Sequence, residues 1–306
     1  MYNRTMKNKI LVPEKLERGD TIGIAAPASP FDLRKFKRGI DVLESMGFNV
    51  YIPEGIFNRN GYLAGTDDQR ASILNNLFSK KNIKAIVCAR GGFGSLKILS
   101  LLDYENILDN PKIFVGYSDV TAILSALFKK CRLISFHGPM ATELGSASKR
   151  TKHAIFSALT SQLDFEIFSK KGTSLKPGIG SGILLGGNLS TLCHLTGTPY
   201  FPDLKGSILF IEEKGEAVYR IDRMFTHMKT AGCFNGIAGL VLGSFKDCGS
   251  VREINKIATG LFGEFDIPVL AGFAGGHGKE NITIPFGLKA TLDSGGKLLS
   301  FEWPAT

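Results

Sequence analysis

"KAIVCARGGFGSLKILSLLDYENILDNPKIFVGYSDVTAILSAL", Lys84 to Leu127, alternates short apolar runs with stretches of helical spacing. "KAIVCA" reads as a buried strand that leads into a glycine turn, and "LKILSLLDYENIL" continues as helix. "KIFVGYS" is the next strand and "VTAILSALFKK" the next helix. Apolar strands without polar alternation are buried on both faces, so this repeat argues for a parallel sheet covered by helices.

The same alternation extends upstream. "TIGIAAPAS" (Thr21 to Ser29) reads as a first buried strand ending in a small-residue turn. In "FDLRKFKRGIDVLESMGF", Phe36, Ile40, Leu43 and Met46 fall at helical spacing, with Gly47 where a C-cap belongs. "NVYIP" is a short strand, and "GTDDQRASILNNLFSKKNI" a helix capped by Thr66 or Asp67. Functional groups in such sheets gather where the carboxyl ends of strands open into loops. The turns after Ala26, Ala89 and Gly116 are therefore expected along one edge.

The pattern changes after about residue 160. "FEIFSKKGTSLKPGIGSGILLGGNLS" is rich in Gly, Ser and Lys, as expected of a connector. Beyond it, strand-like runs at Ile208 to Ile211, Gly239 to Leu242, Val269 to Phe273 and Leu298 to Trp303 mix with shorter helices. The expected organisation is an N-terminal α/β domain over 1–165, a linker over 166–180 and a smaller, β-rich C-terminal domain over 181–306.

Composition bounds the remaining choices. With 306 residues, 43% hydrophobic and 21% charged, the chain can bury a sizeable core without disulfides or metals. Cys88, Cys131, Cys193, Cys233 and Cys248 are scattered and contain no CxxC pair, which reads as reduced thiols in a cytoplasmic protein. No Cys/His cluster has zinc-site spacing, so no metal is expected. The polar N-terminus lacks the apolar core of a secretory signal, and no run of 18 apolar residues exists, so no membrane partner is expected. The net charge of +9 raises the question of nucleic acid. The lysines, however, lie in small dispersed groups without interleaved aromatics and read as solvated surface.

"ARGGFGS" places Gly91, Gly92 and Gly94 after a strand and before a helix. Backbone N–H groups exposed there can bind a phosphate or a developing oxyanion. The spacing fits neither GxGxxG nor a P-loop, and a plain tight turn needing positive φ explains it equally well. Ser118 sits on a strand–turn–helix corner, as a nucleophile elbow does, but Val120 stands where GxSxG has its second glycine. On this stretch alone, Ser118 or Asp119 reads better as the N-cap of the following helix.

A nucleophilic serine needs a base oriented by a carboxylate. Among the five histidines, His153, His194 and His227 read as structural or surface residues, and His137 follows a strand. His277, in the glycine-rich "AGFAGGHGKENITIP", is the leading candidate base. Glu212 and Glu213 close the strand of "SILFIEEKGE", and strand alternation turns them to opposite faces. The residues alone do not choose between them, and a charged strand end fits as well.

Taken in order, "YLAGTDDQR", "CARGGFGS", "IFVGYSDVTA", "HGPM", "GGNLS", "GTPY", "ILFIEEKGEAVYRIDRM", "GIAGLVLGSF" and "GFAGGHGKENITIPFG" resemble the serine LD-carboxypeptidases, the muramoyltetrapeptide carboxypeptidases. The resemblance runs from about Thr21 to about Gly287. It implies an N-terminal Rossmann- or flavodoxin-like parallel-sheet domain and a β-rich C-terminal domain. It also implies a triad of Ser118, His277 and Glu212, with oxyanion donors from the backbone of Asp119 and of Gly91 or Gly92. The implied reaction releases the terminal D-alanine of cell-wall tetrapeptides during murein recycling, without a cofactor, in a homodimer. Arg90 is a candidate for the substrate's terminal carboxylate. Phe93 stands where the family often has Tyr, and Glu213 where it usually has Asp. Two alternatives remain: a hydrolase of an aminoacyl-nucleotide peptide antibiotic that confers self-immunity, and a non-catalytic α/β protein that binds an anion.

Overall fold

The computed structural model describes residues 9–304. The chain forms two compact units. One comprises the residues up to Ser161 together with Thr283–Gly287, the other Gln162–Ile282 together with the residues from Leu288 onward.

The first unit is built as β1 (Thr21–Ala25), α1 (Leu33–Ser45), β2 (Asn49–Tyr51), α2 (Asp67–Ser79), β3 (Ile83–Cys88), α3 (Ser95–Ile98), α4 (Tyr104–Asp109), β4 (Ile113–Gly116), α5 (Thr121–Cys131), β5 (Ser135–His137), α6 (Ala141–Leu144) and α7 (Lys149–Thr160). Strands β2-β1-β3-β4-β5 lie parallel in that spatial order. This is the flavodoxin-like order, with its switch point between β1 and β3. A late strand, β12 (Ile284–Phe286), adds antiparallel to β5. The apolar runs are buried as their composition requires: all of β4 and five of the six residues of β3 are inaccessible to solvent.

The helices follow local rules. α1 buries Phe36, Ile40 and Leu43, is capped by the Asp32 carboxylate, and is followed by Gly47 at φ 95°. Thr66, not Asp67, caps α2: its hydroxyl accepts the Gln69 N–H (3.2 Å) while the Gln69 side chain accepts the Thr66 N–H (3.0 Å). That reciprocal pair satisfies two of the orphan donors at the helix start.

The second unit contains β6 (Phe165–Phe168), β7 (Thr173–Lys176), β8 (Ile179–Asn188), α8 (Leu189–Leu195), β9 (Ser207–Lys214), α9 (Val218–Thr230), β10 (Gly239–Lys246), α10 (Val251–Phe262), β11 (Val269–Ala271), β13 (Lys289–Asp293) and β14 (Leu298–Glu302). Its eight-stranded sheet runs β6-β14-β13-β8-β9-β10-β11-β7. The four central strands β8 to β11 are parallel, and the flanking strands pair antiparallel.

The stretch read as a connector, with its linker at 166–180, carries β6, β7 and the ten-residue β8. β6 and β7 are edge strands, whose exposed polar residues imitate a loop. β8 is glycine-rich for a steric reason: a Cβ at Gly182 would lie 2.1 Å from the Gly206 carbonyl oxygen, and one at Gly186 only 1.8 Å from that of Phe210. Neighbouring backbone approaches too closely for side chains there.

Candidate active site

In the first unit, three turns of interest follow β1, β3 and β4. β4 stops at Gly116, where a Cβ would lie 2.5 Å from Val120 Cγ1. Tyr117 is extended (φ −161°), and Ser118 then takes φ 63°. A serine in the left-handed region is sparsely populated backbone, and such strain concentrates at functional turns. Residues Ser118–Val120 form a 3-10 turn that leads into α5.

Neither Ser118 nor Asp119 caps that helix. Val120 occupies the N-cap position, and among the described residues no side-chain hydrogen bond caps the helix. The reason is that Asp119, 8% exposed, turns its carboxylate to another element: Oδ2 accepts the Ser95 N–H at 2.8 Å, at the start of α3. Burial pushes the Asp119 carboxyl above its ordinary value, opposed by the Ser95 and Gly94 N–H groups and the charge of Arg70.

The glycine turn after β3 lies against this serine. A Cβ at Gly91 would stand 3.0 Å from Ser118 Cβ and 3.2 Å from its Oγ, so the backbone passes directly beside the hydroxyl. Gly92 (φ 119°) is bounded by Ser29, whose Oγ accepts the Phe93 N–H at 3.2 Å. Arg90 is exposed and donates from Nη1 to the Pro30 carbonyl at 2.8 Å. Phe93 is 46% exposed, with its ring 5.8 Å from that of Tyr62.

In the second unit, strand β9 and the loop after β11 bring two titratable side chains together. Glu212 is fully buried, and its Oε2 lies 2.7 Å from His277 Nδ1 and also accepts the His277 backbone N–H at 3.2 Å. Glu213 is committed elsewhere: its carboxylate accepts from Asn188 Nδ2 (2.8 Å), from Ser190 N (2.7 Å) and from Ser190 Oγ (2.6 Å), at the start of α8. The strand's alternation thus gives Glu212 to the histidine and Glu213 to a helix. Gly276 (φ 88°) makes the contact possible, because a Cβ there would lie 2.4 Å from Glu212 Oε2. Asn281 fixes the loop by accepting the Gly276 N–H at 2.9 Å.

The other histidines lie on other elements. His137 is buried, its ring 5.4 Å from Tyr117 and 5.3 Å from Phe286. His153, His194 and His227 are exposed on α7, α8 and α9. Among the described residues, no group of three or more His, Cys, Asp or Glu could hold a metal ion, and no helix is long and apolar enough to cross a membrane.

Both halves of the chain match known proteins. Residues 22–138 match the LD-carboxypeptidase N-terminal domain, and residues 181–292 the LD-carboxypeptidase C-terminal domain. The chain belongs to the LD-carboxypeptidase family. A probable murein peptide carboxypeptidase of Bacillus subtilis is 37% identical over 300 residues, covering 95% of this chain and 94% of the relative. The microcin C7 self-immunity protein of Escherichia coli is 30% identical, with 95% of each chain covered. The crystal structure of a muramoyltetrapeptide carboxypeptidase from Oxalobacter formigenes superposes with a TM-score of 0.83 at 30% identity, over 93% of this chain and 100% of that one. This LD-carboxypeptidase is accordingly a serine-type hydrolase.

One member of the site region escaped the sequence reading. Arg70 of α2 is 1% exposed and donates from Nη1 to the carbonyls of Gly94 (2.9 Å) and Pro27, and from Nη2 to Asp67. A signal for it exists. Arg70 falls in register with Leu74, Leu77 and Phe78 on the buried stripe of its helix, where a charge is out of place unless it is paired.

Proposed function

We propose that this LD-carboxypeptidase releases the terminal D-alanine from murein tetrapeptides through Ser118 as nucleophile, His277 as base and Glu212 as the carboxylate that orients it. The observation that carries the reading is the 2.7 Å contact between Glu212 Oε2 and His277 Nδ1. A carboxylate on Nδ1 holds that proton there and leaves Nε2 as the basic nitrogen, as in other acyl-transfer triads. Ser118 gives up its proton to His277 as its Oγ attacks the scissile carbonyl. The negative charge that develops on the carbonyl oxygen is met by backbone N–H groups of Asp119 and of Gly91 or Gly92. His277 then protonates the departing amine of D-alanine, and water repeats the sequence on the acyl-enzyme.

Two features support these roles. The strained Ser118 backbone is what an elbow nucleophile requires. The close approach of the Gly91 backbone to the serine hydroxyl supports the glycine turn, rather than a side chain, as the source of oxyanion donors. Arg90 keeps its place as the proposed partner of the substrate's free carboxylate: it is exposed, and a guanidinium has donors beyond the one engaged by Pro30.

The relationship to the microcin C7 self-immunity protein gives a second reading, hydrolysis of an aminoacyl-nucleotide antibiotic. The three-residue link between β9 and α9, Gly215 to Ala217, favours the murein substrate, because it leaves no room for an added substrate loop. The deciding experiment compares D-alanine release from a murein tetrapeptide with cleavage of an aminoacyl sulfamoyl adenosine. The tetrapeptide should be the better substrate by kcat/KM. Ser118→Ala and His277→Ala should each lower its turnover at least about 10³-fold. Turnover retained in either variant would remove that residue from the mechanism.

A further inference from the structure

Two buried charges stand behind the glycine turn, and the reaction above gives neither side chain a role. Three glycines in four residues leave this turn with little side-chain restraint, and Gly92 and Gly94 both have positive φ (119° and 133°). Gly91 has to stay small because Ser118 lies against it. Whatever fixes the turn must therefore come from outside it.

The peptide between Gly94 and Ser95 shows how this is done. Its carbonyl accepts from Arg70 Nη1 at 2.9 Å, and its N–H donates to Asp119 Oδ2 at 2.8 Å. One peptide plane is thus held at its negative end by a cation and at its positive end by an anion. Both hydrogen bonds are charge-assisted, the strong class. Rotation of that peptide would set the carbonyl against the carboxylate and the N–H against the guanidinium. The same guanidinium bonds the Pro27 carbonyl of the turn after β1 and pairs with Asp67, which in turn meets Lys97 Nζ at 3.0 Å. Asp119 is the residue next to Ser118, so the clamp joins the nucleophile's own turn to the glycine turn.

We propose that Arg70 and Asp119 are positioning residues for hydrolysis: by clamping the Gly94–Ser95 peptide they set the pose of Gly91 and Gly92 toward Ser118. This rests on the reading of Ser118 as nucleophile and of the glycine turn as oxyanion donor. Neither side chain touches the substrate. They act through the backbone, so they matter where charge develops on the carbonyl oxygen, which is in the transition state and not in the bound substrate.

The test is kinetic, on the full-length enzyme with a murein tetrapeptide. Asp119→Ala and Arg70→Lys should lower kcat about 10- to 100-fold, while KM stays within about threefold. Affinity for a phosphonate analogue of the tetrahedral intermediate should fall by the same factor as kcat. Asp119→Asn keeps an oxygen that accepts the Ser95 N–H but loses the charge that strengthens the bond, so its activity should be intermediate, several-fold above Asp119→Ala and several-fold below the wild type. A merely structural role predicts a lower Tm with unchanged kcat per folded molecule. That result, or an effect confined to KM, would overturn the clamp. Should Asp119→Ala or Arg70→Lys fail to fold, Asp119→Asn decides: reduced kcat at unchanged KM and Tm supports the clamp, and wild-type kcat sinks it. Ser118→Ala run in parallel separates the two levels, because an active Ser118→Ala enzyme removes the underlying reading whatever the clamp variants do.

Discussion

Gly276 shows how much of this site depends on a missing side chain. Its φ of 88° costs an alanine about 1–2 kcal/mol, and the added Cβ would stand 2.4 Å from Glu212 Oε2. The carboxylate is fully buried and cannot retreat into solvent, so the His277 contact must give way. Gly276→Ala should therefore lower kcat for D-alanine release about 10- to 100-fold, since small misplacements of an orienting group are costly. Its Tm should drop by several degrees in the same preparation. Wild-type kcat in this variant would mean that the loop absorbs the methyl group and that the Glu212–His277 alignment is not critical. The sequence made the loop and its histidine legible, because glycines around an imidazole are a local signal. It could not choose between Glu212 and Glu213. Alternation says that they face opposite ways, and the choice comes from Asn188 and Ser190, which claim Glu213 from more than twenty positions upstream.

Among the elements, those with local rules were readable and those defined by their neighbours were not. α1 and α2 carry an apolar stripe, a cap and, for α1, a following glycine, all within one stretch of chain. β8 carries none of these. It is a strand because β9 and β13 pair with it on either side, and its glycines record how closely other backbone approaches. The turn at Ser118 misled in the opposite direction: a local cap was the natural reading, but Asp119 bonds Ser95, 24 residues away in the chain. A simpler cap offers a control for the predictions on activity. Ser148 starts α7 and accepts the Thr151 N–H at 3.1 Å, on a helix that holds none of the proposed catalytic residues. Ser148→Ala should cost about 1 kcal/mol in a urea unfolding experiment and leave kcat unchanged. A drop in kcat would tie α7 to the site in a way that its position in the fold does not suggest.

At the scale of the molecule, the chain does not complete its first unit in one pass. After Ser161 it builds most of the second unit, returns for Thr283–Gly287, and then leaves again. The returning strand β12 pairs Ile284 with His137 and Phe286 with Ser135, and both of its apolar residues are buried, at 0% and 2% exposure. The sequence concealed this return, because "ITIPF" is short and contains Pro285, which suits only an edge strand. Burying one Ile and one Phe contributes about 3–6 kcal/mol, a large share of the roughly 5–15 kcal/mol that stabilises a domain. Without β12, strand β5 also becomes an open edge with unpaired backbone groups. A fragment ending at Ser161 should therefore be marginal, with a broad, low-temperature melt by circular dichroism and a tendency to associate. Joining residues 283–287 to that fragment through a flexible glycine–serine linker should restore a sharp, cooperative melt. Equal midpoints for the two fragments would show that the parallel strands suffice alone, and that the return of the chain adds no stability to the unit that carries Ser118.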